Sequence, residues 1–227
     1  MNYVVTGANR GIGLEFVRQL ADQGHTIYAT ARRPDEADEL QALAEANDVT
    51  VHPLDVTDPA SVEAFGEALD EVDVDVLINN AGVLHRGGGP GGFDFDEIET
   101  DFQVNAIGTL RVIEALKPHV AAAGGGKIVN ITSKMGSIAD NGSGGSYAYR
   151  MSKCALNMAT KSLAADLAGD DIVTFVMHPG WVQTRMGGQN ALITPDKSVA
   201  NMLERIDEAG ADQSGRFIEW DGGTIPW

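Results

Sequence analysis

Short runs of apolar, often β-branched residues alternate along the chain with segments in which apolar residues are more widely spaced. Seven runs stand out: "NYVVTG", "HTIYATA", "VTVHPLDV", "VDVLINN", "GKIVNITS", "DIVTFVMHPG" and "GRFIEW". Short, continuous apolar runs are typical of parallel strands that are buried on both faces of a sheet. The pattern therefore predicts about seven parallel strands.

The segments between these runs have the spacing of amphipathic helices. Their apolar residues recur every three or four positions, as at Ile12, Phe16, Val17 and Leu20, or at Val62, Phe65 and Leu69. Strands that alternate with helices build βαβ units, whose helices cover both faces of one sheet. We therefore expect an α/β fold with a Rossmann-type doubly wound sheet. We also expect residues 1–227 to form a single domain, because no linker or repeat interrupts the alternation.

Two glycine-rich stretches, 87–92 and 141–145, depart from this alternation. Glycine leaves the backbone so much conformational freedom that such clusters disfavour regular elements. We therefore expect both stretches to be loops at the edge of a functional site.

The charge balance excludes some classes of partner. Asp and Glu total 33 against 16 Lys and Arg, which gives a formal net charge of -17. A chain this acidic repels nucleic acids and anionic membranes. The acidic residues are scattered along the whole chain, as expected for an acidic proteome, so we interpret them as the surface of a halophilic enzyme in a salt-rich cytoplasm, where screening weakens their mutual repulsion.

The cysteine and histidine content also narrows the options. A single cysteine, Cys154, cannot form an internal disulfide bond, and the N-terminus lacks the pattern of a signal peptide. No apolar run reaches the roughly 20 residues that span a bilayer. We therefore expect a cytoplasmic location. We expect no metal site, because the five histidines show no ligand spacing.

The first candidate site follows the first predicted strand, where residues 6–13 read "TGANRGIG". Gly7, Gly11 and Gly13 would let the backbone turn tightly and approach a pyrophosphate. The N-terminus of the next helix would supply N–H donors and a positive dipole end. The spacing Gly-x3-Gly-x-Gly differs from the more familiar Gly-x-Gly-x2-Gly, and a glycine turn without a ligand is the alternative. Its place between a strand and a helix favours a dinucleotide site.

The end of the second predicted strand indicates which dinucleotide this is. An NAD site has an acidic residue there to bind the ribose 2′-hydroxyl, but this chain has Arg32 and Arg33, and no acid before Asp35. Either arginine can pair with a 2′-phosphate, and Arg10 adds another cation nearby. The alternative is a solvated arginine pair at the start of a helix. The position favours NADP(H) as the cofactor.

Several motifs then occur in the order that one protein family has them. They are "TGANRGIG" at 6–13, "LDV" at 54–56, "NNAG" at 79–82, Asn105, "ITS" at 131–133, "YRMSK" at 149–153 and "HPGWVQT" at 178–184. From residue 2 to the C-terminus, the chain resembles a single-domain short-chain dehydrogenase/reductase, most closely its C-factor and carbonyl-reductase-like branch. The resemblance implies an NADP(H)-dependent carbonyl reductase or alcohol dehydrogenase.

The glycine turn, the arginines Arg10 and Arg32, and the family resemblance together predict a set of cofactor contacts. The set is Gly7, Asn9, Arg10, Gly11, Ile12, Gly13, Arg32, Asp55, Val56, Asn80, Ala81, Gly82, Tyr149, Lys153, Val182 and Thr184. The resemblance makes Asp55 a contact to the adenine. The ordinary interpretation, which is compatible with that contact, is a cap for the helix near Pro59. Val182 and Thr184 match the family's contacts to the nicotinamide amide.

The segment "SYAYRMSK" at 146–153 holds the candidate catalytic pair. Tyr149 and Lys153 are spaced i and i+4, so they share one face of a helix. A phenol ordinarily has a pKa near 10, and a neighbouring ammonium would lower that pKa, which would let Tyr149 act as the acid in reduction and the base in oxidation. Tyr147 lies about 200° around the helix from Tyr149, so we expect it to pack or to line the substrate mouth. The resemblance adds hydrogen bonds from Lys153 to the nicotinamide ribose.

The serine partner is less simple to assign. Ser133 follows the fifth predicted strand, at the end where open α/β sheets place their sites, and its hydroxyl can bind a substrate carbonyl or Tyr149. The family usually has this serine about thirteen residues before the tyrosine, whereas Ser133 lies sixteen before Tyr149 and glycine occupies 136. The resemblance to the C-factor-like branch, which has a longer loop here, favours Ser133. Thr132 and Ser137 are the alternatives.

Asn105 is a polar residue within an otherwise apolar-periodic helix, "DFQVNAIGTLRVIEAL". A polar residue in such a helix usually binds its neighbours. The resemblance implies that it opens a kink in the helix and holds a water molecule behind Lys153. The predicted catalytic set is therefore Asn105, Ser133, Tyr149 and Lys153.

The segment 185–198 is expected to form a mobile lid over the substrate, with Gly187 and Gly188 as hinges. Trp181, Met186 and Leu192 would line it, which favours a hydrophobic or aromatic carbonyl substrate.

Two further expectations concern partners and function class. The resemblance implies a homodimer or homotetramer built on the helices at 96–122 and 150–168. The alternative function is a non-catalytic or weakly catalytic dinucleotide-binding signalling or regulatory protein of the C-factor type. The intact catalytic set favours the enzyme. A third alternative, a sugar-nucleotide epimerase, is disfavoured, because such enzymes have longer chains with a larger C-terminal substrate region.

Overall fold

The computed structural model describes residues 1–227, and its strands confirm the predicted parallel sheet. The strands are β1 (Asn2–Val5), β2 (Thr26–Ala31), β3 (Val49–Pro53), β4 (Val76–Asn79), β5 (Gly88–Gly89), β6 (Gly92–Phe93), β7 (Lys127–Ile131), β8 (Val173–His178) and β9 (Phe217–Glu219). Seven of them form one sheet in the order β3-β2-β1-β4-β7-β8-β9, and every neighbouring pair in it is parallel. This is a Rossmann-type doubly wound α/β fold.

Seven α-helices pack around this sheet. They are α1 (Gly11–Asp22), α2 (Asp38–Ala46), α3 (Pro59–Ala68), α4 (Phe95–Phe102), α5 (Thr109–Ala122), α6 (Tyr147–Asp166) and α7 (Pro195–Glu208), and a π-helical segment (Gln103–Gly108) joins α4 to α5. None of these helices combines the length and the apolar character that crossing a bilayer requires.

The helices bury their apolar faces in two separate cores, one on each side of the sheet. On one side, Phe16 and Leu20 of α1 pack in the same cluster as Met202 of α7. On the other side, Phe65 of α3 packs in the same cluster as Leu116 of α5. The apolar periodicity of the sequence therefore identified the faces that cover the sheet, since these are the faces that lose apolar surface to water on folding.

The order of the strands places a crevice at the carboxyl end of the sheet. The chain runs outward from β1 to β2 and β3, and then crosses back to place β4 on the other side of β1. The connections after β1 and β4 therefore run toward opposite edges of the sheet, which leaves a crevice between the carboxyl ends of these two strands. Open α/β sheets bind their ligands in such a crevice.

Two sequence expectations about loops are wrong in part. The stretch 87–92 does not stay irregular, because β5 and β6 pair as a short antiparallel hairpin. Gly88 and Gly91 have φ of 65° and 92°, so glycine supplies the left-handed conformations on which this turn depends. The lid segment 185–198 is also shorter than expected, because α7 begins at Pro195, a residue suited to the first turn of a helix. Residues 141–145 carry no regular element, as expected.

Candidate active site

A cleft of about 980 Å³ opens at the carboxyl ends of the first four strands and extends to α6. All the predicted cofactor contacts line it except Val182, which is buried beside it. Of the predicted catalytic residues, Tyr149 and Lys153 line the cleft, Ser133 interacts with Tyr149, and Asn105 is fully buried. The structure thus brings residues from six separate motifs to one cavity.

The glycine turn after β1 leaves no room for side chains. Gly7 has φ of 64°, and a Cβ atom built on it would lie 2.8 Å from the Ala81 Cα. A Cβ atom on Gly13 would overlap the Gly7 carbonyl oxygen and the Asn80 Nδ2. The helix α1 that follows has Arg10 at its N-cap, with no side-chain hydrogen bond to its first N–H groups. These backbone groups are therefore accessible to an anion, and the turn fits a pyrophosphate.

Asn80 and Thr6 fasten this turn to the end of β4. The Asn80 Nδ2 donates hydrogen bonds to the Thr6 oxygen (2.9 Å) and the Gly7 oxygen (3.1 Å). The Thr6 Oγ1 accepts from the backbone N–H groups of Asn80 and Ala81, at 3.0 Å each. Sequence reasoning assigned no role to Thr6, although it is the first residue of the quoted motif.

The cations predicted for a 2′-phosphate lie at the cofactor cleft. Arg10 and Arg32 line the cleft and form no ion pair. Arg33 also lines it, but its Nη1 lies 2.7 Å from the Glu36 Oε1. Arg32 is close enough to Asp55 for its charge to lower the pKa of that carboxyl. Arg32 is therefore the arginine of the pair that remains available to a phosphate.

Asp55 binds its own turn and does not cap a helix. Its Oδ1 accepts from the Thr57 backbone N–H (2.9 Å) and from the Thr57 Oγ1 (2.7 Å), and these bonds hold its pKa below the ordinary value. The cap of α3 is Asp58, whose side chain accepts from the Ala60 N–H. The interpretation of Asp55 as the cap near Pro59 is therefore wrong, because the residue directly before Pro59 occupies that position.

Tyr149 and Lys153 leave α6 on the same face and are both buried. The Lys153 Nζ lies 5.9 Å from the centre of the Tyr149 ring and donates a hydrogen bond to the Ile131 carbonyl oxygen at 2.9 Å. Tyr147, at the start of α6, packs instead against Phe93 of β6, with ring centroids 4.9 Å apart and the rings edge to face. The helix geometry therefore separates the two tyrosines as the sequence predicted.

The electrostatics of the pair differ from the expectation. Burial raises the pKa of Tyr149 to about 12; interaction with Ser133 opposes this, and the charge of Asp101 adds to it. Burial lowers the pKa of Lys153 to about 8, opposed by the same Asp101. The expectation of a lowered phenol pKa is wrong for the chain alone, because desolvation of a buried phenol disfavours the phenolate.

Ser133, Thr132 and Ser137 have distinct partners, which separates the three candidate hydroxyls. Ser133 caps a short 3-10 helix (Lys134–Gly136), and its Oγ accepts from the Met135 N–H at 3.2 Å. The Thr132 Oγ1 donates to the Asn157 Oδ1 at 2.7 Å, and the Ser137 Oγ donates to the Pro226 oxygen at 2.6 Å. Only Ser133 interacts with Tyr149 strongly enough to lower its pKa.

Asn105 lies in the π-helical segment, fully buried behind the cleft. Its Oδ1 accepts from the Val83 N–H, and its Nδ2 donates to the Val83 oxygen and to the Ser152 Oγ, at 2.9 Å each. π-Helical turns often mark functional sites, because the extra residue per turn disrupts the regular hydrogen-bond ladder. The irregularity expected at this residue is therefore present.

Asp101 and His85 form a close pair that sequence reasoning missed. The His85 Nδ1 and the Asp101 Oδ1 are 2.6 Å apart, and Asp101 is completely buried. The one signal in the sequence is an acidic residue at a buried position of a helix, four residues before Asn105.

The apolar residues expected to line the lid do not all reach the cleft. Met186 lines the cleft, and Trp181 and Leu192 are exposed. The Trp181 Nε1 donates to the Gly187 oxygen at 2.7 Å, which fastens one predicted hinge. Val182 forms an isolated bridge with Ile193, and the Thr184 Oγ1 accepts from the Gly187 N–H at 3.1 Å.

Comparison with known proteins agrees with this geometry. The family model described as short chain dehydrogenase matches residues 2–192. The chain is 44% identical over 166 residues to the C-signal of Myxococcus xanthus, which covers 73% of this chain and all of that protein. It is 38% identical over an alignment of 231 positions to 1-hydroxy-2-glutathionyl-2-methyl-3-butene dehydrogenase of Rhodococcus sp. (strain AD45), with 99% of this chain and 98% of that one covered.

Solved structures of carbonyl reductases have the same fold. The NADPH-bound carbonyl reductase from chicken fatty liver superposes with a TM-score of 0.93 at 35% identity, covering 100% of this chain and 98% of that one. Carbonyl reductase Sniffer of D. melanogaster gives 0.94 at 31% identity, covering 100% and 99%. Matched in sequence over most of its length and in structure over all of it, the chain belongs to the short-chain dehydrogenase/reductase family, in its C-factor and carbonyl-reductase-like branch.

Proposed function

We propose that this protein is an NADP(H)-dependent oxidoreductase that interconverts a carbonyl group and an alcohol. The observation that carries the proposal is the buried pair of Tyr149 and Lys153, on one face of α6, at the wall of the same cleft that holds the glycine turn. The similarity to the NADPH-bound carbonyl reductase from chicken fatty liver supports it.

The cleft holds the cofactor through groups that suit its parts. The turn at Gly7 and Gly13 and the free N-terminus of α1 bind the pyrophosphate, and Arg10 and Arg32 bind the 2′-phosphate. Asp55 binds the adenine end, and Val182 and Thr184 border the nicotinamide end. Bound in this way, the nicotinamide supplies or accepts a hydride. Cofactor and substrate then share one domain.

Tyr149 is the proposed proton donor in carbonyl reduction. A pKa of about 12 keeps its phenol protonated throughout the neutral range, so a proton is available at Oη when negative charge develops on the carbonyl oxygen. Lys153 then stabilises the phenolate that remains, since an ammonium nearby favours the charged form. Ser133 orients the carbonyl oxygen and Tyr149, and Asn105 holds the Val83 segment and Ser152 in place behind Lys153.

The substrate we propose is an apolar or aromatic aldehyde or ketone. Tyr147 and Phe93 form an aromatic surface beside the N-terminus of α6, and the apolar side chains of Met186 in the lid and of Trp181 before it are exposed. Ligand sites of this kind bind apolar groups and use a few polar groups for orientation.

The test is NADPH oxidation by the parent protein with a panel of aldehydes and ketones, followed by absorbance. We expect turnover that favours aromatic members of the panel, with NADPH preferred to NADH. NADPH binding without turnover of any member would contradict the proposal.

That outcome would favour the second candidate, a dinucleotide-binding signalling protein. The observation in its favour is the 44% identity to the C-signal of Myxococcus xanthus. The cytoplasmic location stays a prediction. The assembly into a homodimer or homotetramer also stays a prediction. Leu110 of α5 and Met158 of α6 are exposed apolar residues on the two helices expected to form the contact between subunits, which is consistent with that assembly.

A further inference from the structure

The segment after β4 is attached to the helical region before α5 by three regularly spaced contacts. Alternate residues of the segment meet helical side chains one turn apart: Val83 with Asn105, His85 with Asp101, and Gly87 with Glu97. Two residues of extended chain span about 6.6 Å and four residues of helix about 6 Å, so the two spacings match. The contacts hold the wall of the cleft against α4.

The middle contact differs from the other two because it buries a charge. The Asp101 Oδ1 lies 2.6 Å from the His85 Nδ1, and its Oδ2 accepts from the His85 backbone N–H at 3.2 Å. Burial raises the pKa of Asp101, and both bonds from His85 oppose that rise, while the charge of Glu97 adds to it. A buried carboxylate requires such partners, because it is otherwise neutralised.

Lys153 is a buried cation that lacks a negatively charged partner within ion-pair distance. It is buried, its Nζ bonds to the neutral Ile131 oxygen, and it forms no ion pair. A Cβ atom placed on Gly82 would lie 3.1 Å from the Asn105 Oδ1 and 3.6 Å from the Lys153 Nζ, so α4, through its π-helical extension, and α6 meet at this backbone position. Asp101 is one helical turn before Asn105.

No other carboxylate acts on the buried pair. The charge of Asp101 raises the pKa of both Lys153 and Tyr149, and no further charged residue contributes to either. Apart from Lys153, the charged side chains that line the cleft belong to the glycine turn, to the segments after β2 and β3 and to the lid: Arg10, Arg32, Arg33, Glu36, Asp55 and Arg185.

We propose that Asp101, held by His85, is a positioning residue whose carboxylate is the counter-charge that keeps Lys153 an ammonium inside the buried site and adds to the effect of burial in keeping Tyr149 a phenol. The inference rests on the proposed function, since these two residues are its proposed catalytic groups. The inference also predicts the favoured direction of the reaction: a protonated Tyr149 is ready to act as the acid in carbonyl reduction and not as the base in alcohol oxidation.

The test is a pH titration of Lys153 in the cofactor-free protein, by NMR of lysine labelled with ¹³C at Cε. The Lys153 signal is assigned by its loss in Lys153→Met. In the parent we expect a midpoint of about 8. In Asp101→Asn we expect that midpoint to fall by about one pH unit, since loss of a nearby anion disfavours the ammonium. An unchanged midpoint would overturn the proposal.

Glu97→Gln is the matched control. It removes another carboxylate of α4 that contacts the same segment, through the 2.7 Å bond from the Gly87 N–H. We expect no fall in the Lys153 midpoint. An equal fall in both variants would show that displacement of the segment causes the shift, and would overturn the proposal. Circular dichroism checks that each variant is folded, and Asp101→Ser replaces Asp101→Asn if the latter does not fold.

The pH profile of kcat/KM for carbonyl reduction gives a second readout. Its basic limb requires the phenol and the ammonium, so we expect it to move to lower pH in Asp101→Asn and to stay in place in Glu97→Gln. A purely structural role would lower the plateau without moving the limb. If the parent shows no turnover, the proposed function fails while the NMR titration still tests the counter-charge.

Discussion

The Nζ of Lys153 lies 5.9 Å from the centre of the Tyr149 ring, one helical turn further along α6, with both side chains buried. Without a bound cofactor, the Lys153 Nζ donates its hydrogen bond to the Ile131 carbonyl oxygen. Burial dominates the ionisation of both groups, and it favours the phenol over the phenolate and the amine over the ammonium. The site is therefore in a state suited to donating a proton, and several consequences can be measured.

Replacing Arg32 with alanine should weaken NADPH selectively. Charge-assisted hydrogen bonds contribute about 1.5–3 kcal/mol, so we expect a rise in the KM for NADPH of about 10- to 100-fold, with little change for NADH. Arg33→Ala is the control and should have a smaller effect, because Arg33 is paired with Glu36. Equal use of both cofactors by the parent protein would defeat the argument from the 2′-phosphate.

Ser133→Ala should lower kcat for carbonyl reduction by about 100-fold, the magnitude found when one donor to a developing oxyanion is removed. Ser137→Ala should keep its kcat but lose stability, about 1–3 kcal/mol, because the Pro226 oxygen loses its donor. Steady-state kinetics and urea unfolding of both variants separate the two roles. The assignment is wrong if Ser137→Ala is the inactive variant.

The free energy of unfolding should fall as the pH is lowered from 7 to 5, in part through His178. Burial lowers the pKa of this imidazole from 6.5 to about 4, so below pH 6.5 the unfolded chain takes up a proton that the folded chain does not. The loss accumulates down to about pH 4 and reaches about 2 kcal/mol at pH 5. The free energy of unfolding of His178→Gln should fall correspondingly less than that of the parent between pH 7 and pH 5. An equal fall in the two proteins would contradict this.

Salt should stabilise the protein, because the formal net charge is -17. The Debye length shortens from about 10 Å at 0.1 M to about 3 Å at 1 M, so added KCl screens the repulsion among surface carboxylates. We expect the free energy of unfolding by urea to be higher in 1 M than in 0.1 M KCl. The interpretation of the acidic surface as an adaptation to high salt fails if the two values agree.

The sheet was predictable because its strands are buried on both faces. Val4, Val5 and Ile78 have no exposed surface, and the sequence records this as short unbroken apolar runs. The site residues at the ends of β1 and β4 were predictable for a related reason, since close backbone approach admits only glycine or very small side chains there.

Other features depend on contacts between distant segments, which periodicity does not record. Phe93 of the hairpin at 88–93 packs against Tyr147, which lies far along the chain. Asp101 and His85 meet because one loop lies along one helix, and neither residue belongs to a motif. The pKa of Tyr149 could not be predicted from its spacing to Lys153, because burial raises that pKa and Lys153 is not among the groups that shift it.

The proposed roles of Tyr149 and Tyr147 are tested most directly by two single substitutions assayed beside the parent. NADPH oxidation is measured with the best carbonyl substrate of the panel, for Tyr149→Phe and Tyr147→Phe. Removing the proton donor should cost at least the 10²- to 10⁴-fold typical of general acid catalysis, whereas Tyr147→Phe keeps the ring that packs against Phe93 and should keep its kcat. Loss of turnover in Tyr147→Phe with retention in Tyr149→Phe would contradict the account.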